Sequence, residues 1–320
     1  MINKNKDSIS FTIDTAGAGQ RVDKFLNSSL EDKSRSYIQK LIKQKKVKVN
    51  SGAVNKNYRL NDGDVVTVEK LVSVESSVKP QKIDLNIVYE DRHILVVSKK
   101  AGMLTHPTSA TNENTLVNGL LYYYCNNLSS ISGEARAGIV HRLDKNTSGL
   151  LIVAKDDNVH RLLSEQFKSR KIKKTYAALA FGNFSEKRGK ILLPIGRSRI
   201  DRKKMDISLD SGREAVTKFE VAEEFENCTL LDVSPKTGRT HQIRVHLRYI
   251  NHPIIGDEKY GNRQSQELAS RIGINRQFLH AKRIVFTHPV TGEKMKVEDK
   301  LAEDLQKGLK KLRRIKNVIK

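Results

Sequence analysis

The chain has 320 residues, enough for about two domains and for a sizeable core in the larger one. Its 59 Lys and Arg against 36 Asp and Glu leave a net charge of +23, which points away from an ordinary metabolic enzyme and toward a polyanion, nucleic acid ahead of an anionic membrane surface. Cys125 and Cys228 stand in no CxxC or Cys/His spacing, no run of about 18 apolar residues occurs, and the start MINKNKDSISF lacks a signal-peptide core; disulfide frameworks, structural zinc and membrane spans are excluded, and a soluble cytoplasmic protein is expected.

Residues 18–75 are expected to form a small module of two helices and short strands. RVDKFLNSSL and SRSYIQKLIKQ carry helical periodicity, and VKVN and VVTVEK read as strands around Asn61-Asp-Gly-Asp64. Ser34 is the expected N-cap of the second helix, whose apolar stripe Tyr37, Ile38, Leu41 and Ile42 leaves Lys40 and Lys43 outside. Lys45, Lys46 and Lys48 continue this cationic face, which suits phosphate contacts. A Ser- and Val-rich stretch then reads as a linker over residues 76–85.

From 86 to 299 the strand-like runs ILVVSK, GLLIVAK, KTYAALA, GKILLPI, AVTKFEV, TLLDVSP and RIVFTHP are interrupted by helices at about Asp157–Lys168 and Thr240–Ile250. Hairpin-length spacings outnumber helical crossovers, so the expected class is α+β on one large, mostly antiparallel sheet. Residues 300–320 are expected to form a basic amphipathic helix, with Leu301, Leu305, Leu309, Leu312 and Ile315 or Ile319 packed on the larger domain. A membrane-surface role is the lesser reading of that helix.

The stretch GIVHRLDKNTSG interrupts the apolar run that LLIVAK resumes, placing His141, Arg142, Asp144 and Lys145 in a polar elbow between two expected strands at a sheet end. On its own the elbow reads as a turn, in which Asp and Asn bond their own backbone and Gly149 supplies permissive dihedrals; the alternative is a reactive group where several elements converge. There is no GxxxxGK[ST] loop and no GxSxG elbow. His241 and His246 have no HExxH spacing, and His106, His252 and His288 each precede proline, so no metal site is expected.

His141-Arg-Leu-Asp-Lys-Asn-Thr-Ser-Gly149 resembles the HRLDxxTSG signature of the RluA/RluD family of RNA pseudouridine synthases. Lys99-Lys-Ala-Gly-Met-Leu-Thr-His-Pro107, Lys173-Lys-Thr-Tyr-Ala177, Lys236-Thr-Gly-Arg-Thr-His-Gln-Ile-Arg-Val-His246, His252-Pro-Ile-Ile-Gly-Asp257 and Leu279-His-Ala281 match further motifs in the family's order. The resemblance covers about Asp84 to Asp299, and the first module is similar to the small RNA-binding domain named for a ribosomal small-subunit protein. One departure is Lys100, where the family usually has proline.

The resemblance implies the pseudouridine synthase fold and a cofactor-free isomerisation of uridine in structured RNA. It assigns the catalytic carboxylate to Asp144, pairs it with Arg244, and places Tyr176 on the uracil, where it assists at carbon 5. Arg142 is expected to fill the space left by the flipped base and His141 to orient the elbow at the substrate, while Lys40, Lys43, Lys45 and Lys46 contact RNA. Large-subunit ribosomal RNA is the expected partner, with transfer RNA the alternative, no membrane and a monomeric enzyme. The competing reading is a non-catalytic RNA-binding or ribosome-assembly protein, against which an acid facing RNA phosphates argues.

Overall fold

The computed structural model describes residues 2–4, 8–30, 35–69, 78–108, 110–125 and 127–318. Ser34 and Ile319 lie outside them, as does the Lys40 side chain. Near the N-terminus an antiparallel sheet runs in the order Ile2–Lys4, Ser8–Thr12, Val65–Glu69, Val47–Val49, Gly52–Ala53. Helices Val22–Ser29 and Arg35–Lys43 share its core through Val22, Leu26, Ile38, Leu41 and Ile42, which meet Val47, Val66 and Val68. Each such aliphatic side chain stabilises the module by roughly 1.5–3 kcal/mol. The second helix ends in a Schellman turn: Lys46 N donates to Leu41 O at 2.9 Å and Lys45 N to Ile42 O at 3.0 Å, with Lys45 at φ 58°.

The larger sheet places its strands in the order Arg188–Leu192, Val216–Glu224, Cys228–Pro235, Lys173–Phe181, Leu279–Thr287, Ser148–Ala154, Ile94–Lys99, Asn86–Glu90, with Lys294–Glu298 also pairing Leu279–Thr287. Among the described residues all its pairings are antiparallel except Leu279–Thr287 with Ser148–Ala154. The α+β class and the mostly antiparallel sheet follow the sequence reading.

Both faces of the central strands are covered. Leu95, Val97, Leu151, Val153, Leu231 and Val233 join a core with helices Leu116–Tyr124, Gln242–Tyr249, Arg263–Ile272 and Glu303–Val318. Their alternates Ile94, Val96, Leu150 and Ile152 meet Val159 and Leu163 of helix Asp157–Lys168. This is why strand Ser148–Ala154, buried at every position, reads as an unbroken apolar run.

Three local expectations change. GKILLPI becomes two strands, because Pro194 cannot donate to a ladder: Arg188–Leu192 stays in the large sheet and Ile195–Arg197 pairs Met205–Ile207. The helix expected from Thr240 begins at Gln242, since His241 is left-handed at φ 57°. Helices Leu116–Tyr124 and Arg263–Ile272 were not anticipated, although Thr115 and Asn262 cap them through their side chains. Residues 78–85 have no regular structure but are fastened to the first of these helices, where Gln81 N donates to Asn118 O and Asn118 Nδ2 to Lys79 O.

Candidate active site

The chain doubles back before the elbow. Ala154 N donates to Gly138 O at 2.8 Å and Ile139 bridges Val153, so the upstream arm is an isolated bridge rather than the strand its apolar residues suggested. Residues 141–147 then cross the sheet end into Ser148–Ala154, and Thr147 N closes a turn on Asp144 O at 3.1 Å. Gly149 adopts φ +111°, and a Cβ there would lie 2.4 Å from Ala281 O. Only glycine fits where the parallel pairing brings these backbones together.

The elbow's carbonyls are taken from below. Lys99, 1% exposed, donates through Nζ to Lys100 O and Met103 O at 2.8 Å and to Lys145 O at 3.1 Å. Burial pulls its ammonium down to about 7 against the opposing charge of Asp144, and three carbonyl acceptors match the three hydrogens of the charged form. The contact uses the carbonyl of residue 100, which lysine and proline both supply, so the Lys100 departure leaves it intact. Thr105 Oγ1 donates to Leu143 O at 3.0 Å, and Arg276 Nη1 to Asn146 O at 3.0 Å. His141 turns inward: its Nε2 accepts from Ile152 N at 2.9 Å, and burial holds its pKa well below the ordinary histidine value.

With its backbone fixed, Asp144 presents a one-fifth exposed carboxylate to helix Gln242–Tyr249. Arg244 Nη1 donates to Asp144 Oδ2 at 3.1 Å. Its other donors face the fully buried Asp257, Nε at 2.7 Å and Nη2 at 2.8 Å. Burial disfavours the Arg244 cation, but Asp257 and Asp144 outweigh it and hold its pKa above the arginine norm. Tyr260 lies beneath the guanidinium, 5.0 Å from carbon to ring centroid, and its hydroxyl is 2.8 Å from His241 Nδ1.

Asp144, Tyr176 and Arg244 line one cleft of about 590 Å³, with Arg142, Lys174, Leu279 and the loop Pro235–His241. Gln242 secures that loop, its Oε1 accepting from Thr237 Oγ1 at 2.7 Å and Arg239 N at 3.0 Å. Burial, with the charge of Asp144, pushes the Tyr176 phenol well above its ordinary value, so near neutrality it is a flat, neutral surface rather than a phenolate base. Arg142 is exposed, with Nη1 3.4 Å from His106 Nε2.

The other expected residues lie apart from this cleft or serve the fold. Lys43 and Lys45 are exposed on the N-terminal module, whereas Lys46 and Lys48 share Glu69 at 2.8 and 2.9 Å. His246 is buried between Thr217 Oγ1 and Leu193 O. Lys99 and Asp257 fall within the quoted motifs but carry no expected task there, and nothing in the sequence marks Tyr260 or Arg276. A buried lysine or aspartate has no signature in a single sequence until its partner is known.

The sequence profile of the RNA pseudouridylate synthase family matches residues 93–249, and that of the S4 domain matches residues 20–66. A Bacillus subtilis protein described as the uncharacterized RNA pseudouridine synthase YlyB is 43% identical over 308 residues, covering 96% of this chain and 99% of that one. The chain belongs to the RNA pseudouridine synthase family. The ribosomal large subunit pseudouridine synthase D of Zymomonas mobilis is 39% identical over 293 residues, 90% of this synthase and 92% of that one. Among solved structures, human RNA pseudouridylate synthase domain containing 1 superposes with a TM-score of 0.55 at 28% identity, over 73% of this chain and 96% of that one. The human domain-containing-4 protein gives 0.56 at 25% identity, over 71% and 93%. The chain is thus an RNA pseudouridine synthase with an N-terminal S4 domain, and among the described residues no helix is long and apolar enough to cross a membrane.

Proposed function

We propose that the enzyme converts specific uridines to pseudouridine in structured large-subunit ribosomal RNA, with Asp144 as its catalytic carboxylate and no metal or cofactor. The observation that carries this reading is the placement of Asp144: its backbone is clamped, one oxygen is held by Arg244, and it shares a cleft with the neutral ring of Tyr176. The chemistry balances internally. The bond from uracil nitrogen 1 to the ribose breaks, carbon 5 joins the same sugar carbon, and the proton lost at carbon 5 is matched by one gained at nitrogen 1. No electron donor or energy source enters.

In this reading Arg244 orients Asp144 and Tyr176 stacks on the uracil. Unstacking the uridine costs a few kcal/mol, and the exposed guanidinium of Arg142 offsets part of this by filling the vacated space. His141 acts through the elbow. Lys40, Lys43, Lys45 and Lys46 of the S4 domain meet phosphates, Lys46 contributing less because Glu69 shares it. The ribosomal substrate follows the names of the synthase D relatives. The division into a module at 18–75, a linker at 76–85, a catalytic domain at 86–299 and a terminal helix at 300–320 belongs to the same reading, as do a cytoplasmic location and a monomeric state.

The test is tritium release from RNA labelled at uridine carbon 5, comparing the wild type with Asp144→Asn on unmodified ribosomal and transfer RNA. Release from large-subunit RNA by the wild type alone is expected. Release from transfer RNA only would move the substrate, and no release from a folded RNA that the protein binds would favour an assembly role.

A further inference from the structure

A second hollow, of about 1090 Å³, adjoins the Asp144 cleft. Arg142, Lys174, Pro235, Thr237, Gly238 and Arg239 line both, so the two are continuous. Among the described residues six cations line it, namely Arg142, Lys168, Arg170, Lys174, Lys236 and Arg239, and no carboxylate does. Nearby acids are partly engaged: Glu214 pairs with Arg170 at 2.9 Å and Glu165 with Lys168 at 3.5 Å.

Lys174 is the unusual member. It is half-buried on strand Lys173–Phe181, its Nζ lies 5.6 Å from the centre of the Phe167 ring, and among the described residues that Nζ has neither ion pair nor hydrogen bond. Burial pulls its ammonium down to about 8. A partly desolvated cation without a counter-charge is costly to the folded protein unless an anion arrives. A phosphodiester one step along from a nucleotide in the cleft brings such an anion to that spot.

We propose that this hollow is a phosphodiester subsite, holding the RNA backbone next to the nucleotide in the cleft, with Lys174 as its innermost contact and Lys236 and Lys168 on its rim. This rests on the reading that the cleft receives a nucleotide of RNA. It adds where the strand runs on leaving the cleft, and which cations track it.

The experiment measures affinity of the full-length protein for unmodified large-subunit RNA fragments across a potassium chloride series. It compares the wild type with Lys174→Met, Lys236→Met and Lys294→Met. Methionine keeps the Lys174 stem against Phe167, Lys236 is exposed and so independent of folding, and Lys294 is an exposed cation on strand Lys294–Glu298 that does not line the hollow. The slope of log affinity against log salt is expected to flatten by roughly 0.7–0.9 for each hollow variant, and to hold for Lys294→Met. Unchanged slopes for both hollow variants, or an equal drop for Lys294→Met, would overturn the proposal. A wild type that releases no tritium while the slopes still flatten would retain the subsite and remove the catalytic reading.

Discussion

Arg244 reaches Asp144 with one nitrogen because Asp257 occupies the other two donor positions. The single bond to Asp144 Oδ2 is 3.1 Å against 2.7 and 2.8 Å to Asp257, and Asp144 Oδ1 has no partner among the described residues. Asp257 thus aims the guanidinium, and the guanidinium orients a carboxylate whose other oxygen stays open to the cleft.

Asp257→Asn should therefore lower single-turnover tritium release by roughly 100-fold, the scale of a misplaced reacting group, while RNA affinity at fixed salt changes little. It should also destabilise the fold by about 3 kcal/mol, since a buried arginine loses its charged partner. Arg244→Lys should lose comparable activity, because an ammonium cannot hold the planar two-point contact and a third bond together. A loss confined to RNA affinity would contradict the aiming role.

Gly149→Ala should be the most damaging single-methyl change in the elbow. The residue sits at φ +111°, and the added carbon would fall 2.4 Å from Ala281 O and 2.6 Å from Ala281 N, so the parallel strands must separate. A loss of about 3 kcal/mol or more is expected, combining strained dihedrals with overlap against backbone. Thermal melting measures it; a shift under a few degrees would mean that the strands part at the His280–Ser148 and Ala281–Gly149 pairs at little cost.

Acid stability should depend on buried histidines. Burial, with the charges of Arg142 and Arg136, pushes His106 down to about 4, and burial also lowers His280, which shares Ser148 Oγ at 3.0 Å. The unfolded chain binds these protons near pH 6.5 while the folded one refuses them until near 4. Their contribution is thus fully present above pH 6.5 and is lost as pH falls toward 4, on the order of 3 kcal/mol for His106. His106→Gln should flatten the denaturant midpoint between those pH values; a curve as steep as wild type would assign acid sensitivity to other groups.

How much of this was legible beforehand differs by element. Alternation and hairpin spacing carried the sheet class, and the HRLD elbow stood out because an acid and two cations broke an apolar run at a sheet end. The short apolar helix Leu116–Tyr124 escaped because its first residues face a core on several sides, which blurs periodicity. Asp144 and Arg244, 100 residues apart, were joined only by family resemblance. Asp257, Lys99 and Arg276 act through partners far along the chain, and a single sequence holds no record of those contacts.

The terminal helix braces the elbow as well as covering the core. Arg276 binds Asp304 at 2.6 and 2.9 Å and, through its remaining donors, Asn146 O at 3.0 Å and Ser148 Oγ at 3.2 Å, so the first turn of helix Glu303–Val318 orients a side chain that holds the segment after Asp144. Leu305, Leu309 and Leu312 are buried in the same core as Ala269 and Ile272, which leaves that stripe unavailable to a membrane surface. Asp304 is half exposed, so Asp304→Asn should cost only about 1 kcal/mol. Arg276→Met leaves the elbow's acceptors without their donor and should cost about 2–3 kcal/mol, with turnover falling more than RNA affinity. Ending the chain at residue 300 should cost more than either, since the four leucines lost include the buried Leu305, Leu309 and Leu312, worth roughly 1.5–3 kcal/mol each. Denaturant melts and single-turnover rates on the three variants order these effects; a truncated chain as stable and active as the full one would show that the helix neither seals the core nor supports the elbow.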